Sequence, residues 1–118
     1  MSQTNSSPRD AMRTKFLTSK PVLAKTVIID GEKLELRNPT LKQRRSLERD
    51  SKGDGTLYNV LAVIACTYIP ETDTPVFEAA DQEALLAKES GGLVDVLAKE
   101  IAVLIEAEKM KAETAAKN

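Results

Sequence analysis

Asp30-Gly31 stands between two short runs of alternating apolar residues, and it limits the fold more than any other feature of this chain. Val27 and Ile29 flank Ile28 on one side, and Leu34 and Leu36 flank Glu35 on the other. An Asp-Gly pair in this setting marks a two-residue hairpin turn, because glycine accepts the positive φ that the strand twist demands. Such a turn pairs Ile29 with Glu32 and Val27 with Leu34, which gathers Val27, Ile29, Leu34 and Leu36 on one face of a ribbon over about 25–37. A two-stranded ribbon is marginal in water by itself. The rest of the chain must cover that face.

The remainder reads as helix. A polar tail over residues 1–9, expected to be flexible, precedes a short helix with Met12, Phe16 and Leu17 at helical spacing, ended by Pro21. Thr40-Leu41-Lys42-Gln43 has the form of a capping box opening a helix over about 41–50. With only Leu41 and Leu47 as large apolar residues, that helix belongs on the surface. Leu57, Val60, Leu61, Ile64, Ala65 and Tyr68 then recur at helical spacing, with Ala62 and Val63 also apolar, and Pro70 closes the run. So wide an apolar face predicts a central helix. Val76 and Phe77 read as an anchor, followed by a short helix over about 79–88. After Ser90-Gly91-Gly92, the last helix carries a stripe of Leu93, Val96, Leu97, Ile101, Leu104 and Ile105, with Val94 and Val103 on a second line. Periodicity fades after residue 106, so 107–118 is expected to be a fraying helical tail. The expected fold is mainly α within the α+β class: a small bundle of about four to five helices with one N-terminal β-hairpin, a single domain over 10–106.

Composition removes several chemistries. The chain of 118 residues has no histidine and one cysteine, Cys66. Ser–His–Asp and Cys–His catalysis and most zinc sites are therefore excluded, as is an intramolecular disulfide. Cys66 ends the apolar run from Val60, which places it in the core as a small hydrophobe. The acidic residues follow helix surfaces: Asp81 and Glu83 near a helix start, Asp95 four residues before Lys99. No calcium loop or phosphate-cradling loop is present. No enzyme, metal or cofactor signature is found. No run approaches the ~20 apolar residues that span a bilayer, and the polar start lacks the apolar centre of a signal peptide. A cytoplasmic address is expected, with no membrane partner.

The net charge of −1 conceals a division. Residues 1–52 hold 12 Lys and Arg against 6 Asp and Glu, whereas residues 53–118 hold 5 against 12, giving +6 and −7. Lys42, Arg45 and Arg49 fall at i, i+3 and i+7 on the helix over 41–50, with Arg44 beside them. Such a row suits a solvated face, a protein-binding face or a helix lying in a nucleic-acid groove. A sequence pI near 5.5 and the dilution by Glu48 and Asp50 weigh against nucleic acid. A small DNA-binding or regulatory protein using this helix nonetheless stays open as the alternative.

Several strings resemble the tail assembly chaperones of long-tailed bacteriophages, the family of the lambda-type G chaperone. They are the ribbon over Val27–Leu36, the Arg37-Asn38-Pro39-Thr40-Leu41 string opening a charged helix, and the apolar helix running into Ala65-Cys66-Thr67-Tyr68. Pro75-Val76-Phe77 before a short acidic helix and the glycine-started final helix complete the likeness, which covers roughly 23–106. The resemblance implies a non-enzymatic protein of the host cytoplasm, absent from the mature virion. It would bind the tape measure protein, keep it soluble, recruit tail tube subunits and self-associate into open assemblies. The charge division suits head-to-tail contacts between copies. The family often makes a longer frameshifted form of itself, and Ala116-Lys117-Asn118 permits a slippery A-AAA-AAC heptamer. Expected interaction residues are Lys42, Arg44, Arg45 and Arg49, with Val94 and Val103 as an exposed apolar line and the outer hairpin face beside them.

Overall fold

The computed structural model describes residues 7–18 and 24–117. The order of elements is α1 (Pro8–Leu17), β1 (Ala24–Ile29), β2 (Glu32–Arg37), α2 (Leu41–Ser51), α3 (Gly55–Cys66), β3 (Thr67–Tyr68), a single 3₁₀ turn (Ala79–Asp81), α4 (Gln82–Leu86) and α5 (Leu93–Lys117). The class is α+β, as the pattern predicts.

Helix α1 begins inside the segment expected to be a tail. Ser7 accepts the amide of Asp10 at 3.1 Å through its hydroxyl, and Pro8 occupies the first turn, where its missing N–H is no loss. The helix stops at Leu17, and Pro21, expected to end it, lies outside the described residues.

The hairpin has the expected register, with Val27 opposite Leu34 and Ile29 opposite Glu32. Both turn residues have positive φ, 50° at Asp30 and 81° at Gly31, the pairing that a tight turn between right-twisted strands requires. Leu36 is fully buried and Val27, Ile29 and Leu34 are half-buried, while Ile28 on the opposite face is exposed.

The hairpin is not alone. β3 pairs antiparallel with β2, Glu35 opposite Tyr68 and Leu36 opposite Thr67, giving a three-stranded sheet in the order β1-β2-β3. The periodicity carried α3 on to Tyr68, whereas the helix ends at Cys66 and Thr67 takes extended dihedrals. Sheet hydrogen bonds to β2 replace those of one further helical turn, at a β-branched residue that favours strand. The chain then folds back on itself. The Val76 amide donates to the Thr67 carbonyl at 3.0 Å and the Ile69 amide to the Thr74 carbonyl at 3.0 Å, which brings Pro75 opposite Tyr68.

The core joins sheet and helices. Leu36 from β2, Val60, Val63 and Cys66 from α3, Leu85 from α4, and Val94, Leu97, Ala98, Ile101 and Leu104 from α5 form one buried cluster, with Phe77 packed against it. α3 is apolar nearly all round because it is covered on two sides. Val60 and Val63 belong to this cluster, while α2 packs along α3 with Leu47 buried. The expected helix over 79–88 is shorter, a 3₁₀ turn continuing into α4.

Candidate interaction surfaces

Helix α2 is fixed at its start by reciprocal capping. The Gln43 amide donates to Thr40 Oγ1 at 3.1 Å, and the Thr40 amide donates to Gln43 Oε1 at 2.8 Å. With one face turned to α3, the other presents Lys42, Arg45 and Arg49 to solvent. Arg44 is half-buried, two positions and hence about 200° round the helix from Lys42. Arg49 is already engaged: its Nε lies 2.9 Å from Asp50 Oδ1. That hydrogen bond holds the Asp50 carboxyl below its usual range and pushes the Arg49 guanidinium up. The row is therefore only partly free to meet a polyanion.

Beside this row runs a shallow groove of about 220 Å³ between α2 and α3, walled by Lys42, Gln43, Ser46 and Asp50 and floored by Leu47, Leu61 and Ala65. An apolar floor with one cationic and one anionic rim suits a side of a partner helix better than a phosphate backbone. Lys42 on the rim belongs to the basic row expected from sequence, whereas Leu61 and Ala65 of the floor lie on another helix and join it only in the fold.

On α5 the expected apolar line is corrected. Val94 is buried, 8% exposed, in the central cluster, whereas Val103 is 52% exposed. The two are nine residues apart, and nine steps of about 100° place them on opposite faces. The residue that shares Val103's face is Val96, seven positions before it and 43% exposed, although its spacing suggested the core stripe. Asp95 beside it turns back to the helix start, its Oδ2 accepting the Gly91 amide at 2.5 Å; Gly91 has a φ of 80°, a value costly for any other residue.

Two further features lie outside the interaction residues expected from sequence. Met12, Phe16 and Leu17 of α1 are all exposed, Met12 at 60% and Leu17 at 74%, with Arg9 and Arg13 between them around the helix. None of the residues of α1 is buried. The second feature is Arg37 at the end of β2. Its guanidinium donates to Glu35, to Asp73 at 3.0 Å and to the Thr72 carbonyl, and it stacks on the Tyr68 ring at 4.1 Å. Its hydrogen bond to Glu35, then Asp73, hold it charged, against an opposing effect of burial. Arg37 is a clasp between β2, β3 and the 69–74 turn.

Reactive chemistry is sparse. Cys66 is buried, and burial pushes its thiol up to about 12, so a thiolate nucleophile is not available near neutrality. Among the described residues no cluster of Cys, Asp or Glu is placed to hold a metal ion, and no helix is long and apolar enough to cross a membrane.

This arrangement, a three-stranded sheet backed by α3 and a long α5 with α2 on the outside, is the fold of a phage tail assembly chaperone. One solved structure that it matches is that of the bacteriophage HK97 tail assembly chaperone, with a TM-score of 0.58 over 80% of this chain and 97% of that one, at 18% sequence identity. No protein-family model and no curated protein matches the sequence.

Proposed function

We propose that this chain is a tail assembly chaperone of a long-tailed phage, acting without catalysis in the host cytoplasm and absent from the finished virion. The reading rests on one observation, the shared fold over nearly the whole length of the HK97 chaperone. In this role it binds the tape measure protein, keeps that long chain soluble, recruits tail tube subunits and associates with further copies of itself. The λ-type G chaperone is the form it resembles, and a frameshifted longer product is part of the same proposal.

The surfaces described suit such work. A holdase must offer apolar contacts without aggregating itself, which calls for apolar residues set among charges. The α2–α3 groove meets this with Leu47, Leu61 and Ala65 between Lys42 and Asp50. The outer face of α5 meets it with Val96 and Val103.

Co-expression with the tape measure protein of the same phage tests the proposal. The expected result is a soluble complex that survives moderate salt and is weakened by Leu61→Glu in the groove floor. A tape measure protein that stays insoluble with and without this chain overturns it. Retention on DNA that falls steeply with salt would instead favour the regulatory alternative on α2.

A further inference from the structure

Helix α1 is built as a complete unit yet buries nothing. It has a serine N-cap, a proline in its first turn and a C-cap at Thr18, whose amide donates to the Thr14 carbonyl at 3.1 Å. A helix of 10 residues is marginal in water alone. The face centred on Arg9 and Arg13 is flanked by Met12 and Leu17, and neither arginine has an ion-pair partner among the described residues. A counterpart must be apolar and anionic together.

Among the described residues, the 78–89 segment offers such a surface. It carries Glu78, Asp81, Glu83 and Glu89 against the single Lys88, and Leu86 there is 39% exposed. Ala80, Ala84 and Ala87 are exposed around it, small enough to let a second helix approach closely. Two other exposed apolar sites lie beside cations instead: Leu41 next to Lys42 on α2, and Val96 and Val103 on either side of Lys99.

We propose that α1 of one copy docks on the 78–89 segment of a second copy, Arg9 and Arg13 meeting Glu78 and Glu83 while Met12 and Leu17 cover Leu86. Donor and acceptor are different surfaces, so the contact is heterologous and every copy bears one of each. Copies add head to tail until a ring closes or the array stays open. This inference rests on the self-association in the proposed function and names its joint.

Two charge-reversed full-length proteins test it by sedimentation: Arg9→Glu with Arg13→Glu, and Glu78→Lys with Glu83→Lys. All four positions are exposed, and unchanged circular dichroism checks the fold. Each variant alone is expected to associate about tenfold more weakly than the parent, or worse. An equimolar mixture of the two is expected to regain assembly with the variants alternating, because the anionic α1 of one meets the cationic acceptor of the other and the native α1 of the second meets the native acceptor of the first. A protein carrying all four changes is expected to regain assembly. Met12→Ser with Leu17→Ser keeps the charges and is expected to weaken association at 1 M salt, where charge reversal loses most of its effect. Assembly of Arg9→Glu/Arg13→Glu equal to the parent overturns the proposal, as does a parent that stays monomeric at high concentration. Tape measure solubility, read in the same strains, is a separate measurement: if it persists in either case, the docking proposal falls and the chaperone reading stands.

Discussion

Two side chains are committed to chemistry that is structural. The Cys66 thiol is held up at about 12 by burial, well above the ~8.5 of a free cysteine. Above pH ~8.5 the unfolded chain gives up this proton while the folded chain keeps it. The unfolded state then binds fewer protons, so stability falls as pH rises: the contribution is complete below the unfolded value and is lost on the way to the folded one. Wild type is expected to lose stability faster than Cys66→Ala between pH 8.5 and 11, by up to ~1.4 kcal/mol per pH unit, measured by urea unfolding. Arg37 is the other. Removing its guanidinium in Arg37→Met strips partners from Glu35, Asp73 and the Thr72 carbonyl together. The expected loss is about 1–3 kcal/mol, visible as an earlier thermal transition.

At the scale of elements, the two that depend on neighbours in sequence were the most legible. Asp30-Gly31 defines the hairpin and its register, and Thr40 with Gln43 defines the start of α2. Thr40→Ala is expected to destabilise by about 1 kcal/mol through the lost cap, checked by chemical denaturation. What depended on contacts between elements was not legible. Thr67 and Tyr68 continue the helical spacing of α3, and only the edge of β2 makes them a strand. At the start of α5, Leu93, Val94, Val96 and Leu97 offer apolar residues on nearly every side, and the pattern put Val96 in the core stripe and Val94 on the exposed line, the reverse of their burial. For α1, Met12, Phe16 and Leu17 have the same spacing whether a partner covers them or water does. The acidic, alanine-rich surface around Leu86 was missed because it joins a 3₁₀ turn, α4 and the loop after it.

As a whole molecule the domain has one core with Leu36 at its meeting point, a strand residue enclosed by helical ones. Sheet and helices should therefore unfold together. Leu36→Ala is expected to cost about 2–5 kcal/mol, and tyrosine fluorescence and far-ultraviolet circular dichroism should still report one coincident transition. Tyr58 on α3 and Tyr68 on β3 make the first of these probes sensitive to both layers. Surface placement was the least legible part: the exposure of Lys42, Arg45 and Arg49 followed from helical spacing, while the groove floor beside them and the line of Val96 required the folded arrangement.

The return of the chain past Tyr68 has a consequence for growth. Pro75 occupies the far side of β3 and brings no amide hydrogen of its own, which blunts that margin against any incoming strand. The opposite margin, along Ala24–Ile29, has no such cover within the sheet among the described residues. Should this ribbon ever be extended by another polypeptide, the newcomer must enter alongside β1, with Ile28 turned away from the core as its first apolar foothold.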